Sequence, residues 1–175
     1  MLEAEIWGIA ETGDGFMIFV RPLQSEYSVP IFIGQLEAQA ILIGFGGISI
    51  SRPLTVDLLQ EIIKEANFEL VRVEISDLKD NTFFGSLVFK RPSGKELVID
   101  SRPSDALALA VRCKCPIFID EKVVETAGII AEDLTTEKEE TAKRYVLQKE
   151  LEEAVAVENY ERAAEIRDML KLLEK

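Results

Sequence analysis

Alternation of apolar and polar positions dominates the start of the chain. Glu3-Ala4-Glu5-Ile6-Trp7-Gly8-Ile9 reads as a strand, Gly13-Asp14-Gly15 as a tight turn, and Phe16 to Val20 and Tyr27 to Ile33 as two further strands parted by Arg21-Pro22. From Gln35 the period becomes helical. Leu36, Ala40 and Ile43 share one side of a helix over 35–44, which ends at Gly44-Phe45-Gly46-Gly47. Thr55 is placed to cap a second helix over 56–66, with Leu58, Leu59, Ile62 and Ile63 as its apolar stripe. Alternation then returns: Val71, Val73 and Ile75 face one way and Arg72 and Glu74 the other in a strand over 70–75. Strands over 82–90 and 97–99, a helix over 104–112 and a closing strand over 116–119 complete this part.

The pattern therefore runs strand-strand-strand-helix twice. Ile31-Phe32-Ile33 leading into Glu37-Ala38-Gln39-Ala40-Ile41 parallels Val98-Ile99 leading into Asp105-Ala106-Leu107-Ala108-Leu109. The predicted fold class is α+β, a mainly antiparallel sheet built from a duplicated unit with helices packed on it. Each half carries a carboxylate in the first turn of an Ala-rich helix, where the helix dipole favours it by ~0.3–1 kcal/mol.

Near Ala131 the texture changes, predicting one domain over 1–131 and an appendage over 132–175. The appendage holds 13 acidic and 8 basic residues with neither Pro nor Gly. Thr136 and Glu139 form a capping-box pattern, and Leu147, Leu151, Ala154 and Val155 form an apolar stripe. After a break at Glu158-Asn159-Tyr160, Ala163, Ala164, Ile166, Leu170 and Leu173 form a second stripe. A helical hairpin of about 40 residues buries little of its own surface and is expected to dock on another chain or on the main domain.

The absence of histidine excludes Ser-His-Asp and Cys-His catalysis and His-containing zinc sites. Acid–base work must fall to carboxylates, Lys, Tyr, Cys or metal-bound water. A net charge of −12, divided −7 over 1–131 and −5 over 132–175, argues against a broad basic face for nonspecific DNA binding. Local basic patches survive, because charges beyond a Debye length of ~8 Å are screened. Cys113 and Cys115 lack a second ligand pair and read as small thiols in a reducing compartment. The N-terminus lacks the pattern of a signal peptide, and no apolar run approaches the ~20 residues of a membrane span. A cytoplasmic protein is expected. A homodimer is expected on the general frequency of twofold assemblies.

Several motifs in order resemble the bifunctional nuclease domain family. They are Arg52-Pro53-Leu54-Thr55-x-Asp57-Leu58, Ile75-x-Asp77-Leu78-x-Asp80-x-Thr82-Phe83-Phe84, Val98 to Ala110 with its Asp100-Ser101-Arg102-Pro103-Ser104-Asp105 core, and Pro116-Ile117-Phe118. The similarity covers roughly residues 1–130. Leu151-x-x-Ala154-Val155-x-x-Glu158-x-Tyr160-Glu161-x-Ala163-Ala164-x-x-Arg167-Asp168 resembles the UVR motif, a helical hairpin that mediates protein–protein contact in bacterial nucleotide-excision repair. The first resemblance implies DNase and RNase activity, as in plant members, and a nucleic-acid substrate. The second implies a protein partner contacted through Leu151, Val155, Tyr160, Ala164 and Arg167.

Phosphodiester hydrolysis without histidine most naturally uses Mg²⁺ or Mn²⁺ held by carboxylates. Asp100 and Asp105 flank Arg102 at a strand-to-helix junction and are the candidate metal ligands. Arg102 is the candidate phosphate grip, and Glu37, the counterpart of Asp105, is a candidate fourth member. Structural readings stand beside these: Asp105 in a first turn capped by Ser104, Arg102 bridged to Asp100, and Asp77 and Asp80 in a turn. Trp7, Phe83, Phe84 and Phe89 read as core rather than as base-stacking platforms. An alternative function is a non-catalytic oligomer that recruits a partner through its C-terminal hairpin.

Overall fold

The structure, a computed structural model, describes residues 1–12, 15–48 and 50–130, together with Leu147, Leu151, Val155, Asn159, Tyr160, Ala163, Ala164, Ile166 and Arg167. Two compact units divide the chain, Met1–Glu132 and Asp133–Lys175. The first is an α+β unit with the order β1 (Leu2–Thr12), β2 (Gly15–Pro22), β3 (Tyr27–Ile33), α1 (Gln35–Phe45), α2 (Thr55–Glu65), β4 (Glu69–Lys79), β5 (Thr82–Lys90), β6 (Glu96–Ser101), α3 (Pro103–Cys113), β7 (Ile117–Ile119), α4 (Glu121–Ala127) and β8 (Ile129–Ile130).

The strands form one eight-stranded sheet in the order β6-β5-β4-β7-β1-β2-β3-β8. Two meanders, β1-β2-β3 and β4-β5-β6, flank β7, which pairs antiparallel with β1 and parallel with β4. The sheet is thus mainly antiparallel, as the alternation implies, because each hairpin is closed locally. Ile18, Val20, Val73, Ile75 and Ile119 are buried on the sheet, and Ile41, Leu107 and Leu109 from the helices. Each such side chain contributes about 1.5–3 kcal/mol by leaving water.

Helix α3 lies on β4 and β5, and α1 and α2 both pack against α3. Gly85 permits the close approach: a Cβ there would sit 3.1 Å from the Ser101 carbonyl and 3.2 Å from Pro103 Cα. Gly85 pairs with Ile75 and Ser101, so this row faces α3. The next row, Glu74, Ser86 and Asp100, faces the other side, since successive strand residues point oppositely.

Several local expectations shift. Arg102 rather than Ser104 is the N-cap of α3, with Pro103 at its first position, and Leu54 rather than Thr55 precedes α2. Asp77 lies within β4, while Asp80 and Asn81 form the hairpin turn with φ of 47° and 59°. Trp7 and Phe89 are in the core, whereas Phe84 is exposed beneath the Lys79 ammonium at 5.7 Å. The apolar stripe of α2 turns inward only at Ile63. Val56, Asp57, Gln60 and Ile63 are half-buried, while Leu58, Leu59 and Ile62 face solvent. The inner face is claimed by polar groups: Asp57 Oδ1 accepts from Arg112 Nε at 2.6 Å, and Gln60 Nε2 donates to the Arg112 carbonyl at 2.9 Å.

In the second unit, Ala163 and Ile166 are buried against Leu147 and Leu151. Tyr160 is 66% exposed. The turn residues Gly13 and Asp14, the Thr136–Glu139 capping box and the positions Ala154, Leu170 and Leu173 lie outside the described residues.

Candidate functional site

Pro103 organises the junction between β6 and α3. Its ring suits the first helical position, where an N–H would have no partner, and it forces the preceding residue to be extended. Arg102 accordingly has φ −68° and ψ 146°, and its carbonyl accepts from the N–H groups of Asp105 and Ala106 at 3.1 Å. Its side chain is thereby free to turn across the helix start. Asp105 sits at the third helical position of α3 and Glu37 at the third of α1, each where the helix dipole favours a carboxylate.

These three residues meet. Arg102 Nε donates to Asp105 Oδ2 at 2.8 Å and Nη2 to Asp105 Oδ1 at 3.0 Å, a bidentate fork. Nη1 donates to Glu37 Oε1 at 2.8 Å, across 65 positions of sequence. The Arg102 side chain stays 65% exposed, against 50% for that of Asp105 and 23% for that of Glu37. The hydrogen bonds to Asp105 and its charge, then the hydrogen bond to Glu37, raise the guanidinium pKa above its ordinary value. Three of the five N–H groups of Arg102 are engaged, leaving donors directed at solvent.

Asp100 does not join them. It stands opposite Ser86, on the sheet face away from α3, where Ser86 Oγ donates to Glu74 Oε2 at 3.3 Å and Arg72 bridges Glu74 and Glu96 at 2.7 and 3.2 Å. Arg102 is paired with Asp105 and Glu37, not with Asp100. Among the described residues no three His, Cys, Asp or Glu side chains converge as a metal cage. Arg102 bridges Glu37 and Asp105, and Asp100 is on the opposite face, so this donor set does not fit a divalent ion as it stands. Of the residues expected to contact a protein partner, Val155, Tyr160 and Arg167 are exposed and Leu151 and Ala164 half-buried.

The Arg112–Asp57 pair emerges only in three dimensions. Arg112 is 10% exposed and its Nε–Oδ1 distance to Asp57 is 2.6 Å. The sequence signal was slight: a lone arginine near the end of an otherwise apolar helix.

A family model for the bifunctional nuclease domain matches residues 18–132, and one for the UvrB/uvrC motif matches residues 146–175. An uncharacterized protein of Mycobacterium tuberculosis is 36% identical over 128 residues, 73% of this chain and 76% of its own. Bifunctional nuclease 2 and Bifunctional nuclease 1 of Arabidopsis thaliana are 24% and 26% identical over 165 residues. These alignments cover 81% of this chain and 50% and 51% of the two plant proteins, so the chain spans about half their length. With the domain match running from within β2 through β8 and taking in α3 and the Glu37–Arg102–Asp105 cluster, the chain belongs to the bifunctional nuclease domain family.

Proposed function

We propose that the N-terminal unit binds DNA or RNA phosphate and hydrolyses phosphodiester bonds, with Arg102 as the phosphate grip. The observation that carries this reading is an exposed guanidinium held by two carboxylates at the start of α3, with N–H donors left over. The plant relatives named as bifunctional nucleases support it. A phosphate oxygen takes the free donors and competes with the carboxylates for the rest. A carboxylate so released accepts a proton from the attacking water, the phosphorus–oxygen bond to the leaving group breaks, and that oxygen is protonated from solvent. No step is assigned to Mg²⁺ or Mn²⁺ or to Asp100, and the need for either metal is tested in the same assay.

The same reading takes the two strand-strand-strand-helix runs as one duplicated unit, with Glu37 and Asp105 as its equivalent carboxylates. Residues 132–175 form a helical hairpin that contacts a protein partner through Leu151, Val155, Tyr160, Ala164 and Arg167. The UVR match and the exposure of Val155 and Tyr160 support this.

The test is turnover of labelled single- and double-stranded DNA and RNA with Mg²⁺, Mn²⁺ or chelator. Arg102→Ala and Asp105→Asn are expected to lower kcat/KM by about 10²–10³-fold, the loss typical of one charge-stabilising group. Arg102→Lys restores little, because an ammonium cannot reproduce the fork. Variants that turn over at the wild-type rate, or activity that leaves the protein on further purification, reject the site. The UVR match also favours a second reading, a non-catalytic partner-recruiting protein. That reading requires partner capture that is lost when the chain ends at Ala131.

A further inference from the structure

Helices α1 and α3 begin alike. Each has an extended residue as its N-cap, Gly34 with φ −76° and ψ 169° and Arg102 with φ −68° and ψ 146°. Each also carries a carboxylate at its third helical position, Glu37 and Asp105. The N-cap of α3 supplies the arginine that both carboxylates bind, whereas the N-cap of α1 supplies no side chain. Neither backbone nor capping calls for glycine there. A φ of −76° is open to every residue, and Ser, Thr, Asp and Asn cap helices at least as well. The space around Gly34 does call for it. A Cβ built on Gly34 would overlap Glu37 Oε2 and stand 3.4 Å from Glu37 Cδ and 3.8 Å from its Oε1. Oε1 is the oxygen that accepts from Arg102 Nη1 at 2.8 Å.

We infer that Gly34 is a positioning residue for the Arg102 site. By lacking a Cβ it leaves room for the Glu37 carboxylate to lie against the N-cap of α1 with Oε1 held on Arg102. The two carboxylate oxygens are joined rigidly through Cδ, so Oε2 cannot yield to a methyl group without carrying Oε1 with it. Rotation about Cγ–Cδ turns Oε1 out of line with Nη1, and a change of rotamer swings the whole group away. Retreat is confined as well, because the Glu37 side chain is only 23% exposed. With Glu37 displaced, Arg102 keeps its fork to Asp105 and loses its bond to α1, so the guanidinium is anchored from the start of α3 alone. The consequence for turnover rests on the reading of Arg102 as the phosphate grip; the placement of Glu37 does not.

Arginine labelling of the full chain by phenylglyoxal, mapped by mass spectrometry with the exposed Arg91 as internal standard, tests the inference. The reagent closes on both Nη atoms, and in the wild type these are engaged by Glu37 and Asp105. Gly34→Ala and Gly34→Ser are each expected to speed labelling of Arg102 to the rate found in Glu37→Ala. The gain should be up to about fivefold, the weight of one solvent-exposed ion pair. Serine caps a helix at least as well as glycine, so agreement of the two variants assigns the effect to the Cβ. In the Glu37→Ala background Gly34→Ala should add nothing, whereas a merely weakened helix start would add its effect in either background. In the nuclease assay the Gly34 variants should lose kcat/KM to the extent that Glu37→Ala does. Wild-type labelling of Arg102 in the Gly34 variants overturns the inference, as does an equal acceleration by Gly34→Ala with and without Glu37. Gly34 variants that turn over at the wild-type rate, where Glu37→Ala does not, overturn it too. A wild type without turnover that still shows the expected labelling rejects the phosphate-grip reading and upholds the placement of Glu37 by Gly34.

Discussion

Arg112 ties together three helices. Its guanidinium Nε is bound by Asp57, its carbonyl by Gln60, and its Nη1 presses against the backbone of α1 at Gly44. A Cβ at Gly44 would fall 1.6 Å from Nη1 and 3.0 Å from Val111 Cγ1. The end of an arginine normally moves aside easily, but here movement breaks the bond to Asp57 in a nearly closed space. Gly44→Ala is therefore expected to destabilise the protein by about 2 kcal/mol, as overpacking does. Combined with Asp57→Asn the loss should be less than the sum, because both changes break one contact. Urea unfolding of the two single variants and the double variant measures the coupling; strict additivity would separate the two residues. A lone arginine in an apolar helix is visible in the sequence, but its partner 55 positions earlier is not.

At the scale of elements, the period of the side chains was a sound guide wherever one face meets a continuous core. The hairpin β4–β5 shows this, with Val73 paired to Leu87 and Ile75 to Gly85. Its turn depends on Asp80 and Asn81, both in the left-handed region that short polar side chains tolerate and β-branched ones resist. Asn81→Val is accordingly expected to cost about 1–3 kcal/mol, while Asn81→Gly is neutral or mildly stabilising. Thermal unfolding monitored by circular dichroism distinguishes them, and equal effects would contradict the turn argument. Two elements left no readable pattern. Helix α4 spans seven residues, too few for a period to show, although Asp120 caps it by accepting from the Lys122 N–H at 2.9 Å. Strand β8 is two residues long and exists through its pairing with Tyr27 and Ser28. Helix α2 misled in another way: its pattern announces an apolar face but not which way that face turns.

Across the whole molecule, the Asp57–Arg112 contact makes stability depend on pH. Burial acts to raise the Asp57 pKa. The hydrogen bonds from Arg112 and the Leu54 N–H, with the Arg112 charge, outweigh it and hold the carboxyl below its ordinary value of 3.8. A folded-state pKa below the unfolded one stabilises the fold above the unfolded value, and this is lost as pH falls through the folded value. Asp57→Asn should therefore be less stable than wild type at neutral pH by about 3 kcal/mol, since it leaves a nearly buried arginine without its counter-charge. The deficit should shrink as pH falls below about 4. Denaturation midpoints of both proteins across that range provide the check, and a deficit independent of pH would rule the linkage out.

Local order was legible because periods of two and 3.6 residues, a Pro at a helix start and polar residues at a turn act within a few positions of one another. Alternation alone implied two three-stranded meanders, and helical spacing placed α1, α2 and α3 within one or two residues of their ends. The missing histidine and the acidity restricted the chemistry before any fold was known. What required the tertiary structure was every relation spanning the sheet or the helix layer. The insertion of β7 between β4 and β1, the meeting of Glu37 with Arg102 and the turning of Asp100 to the opposite face are of this kind. Each depends on how faces pack rather than on which residues adjoin, because a side chain's neighbours across a core are set by the closing of the whole sheet and its helices.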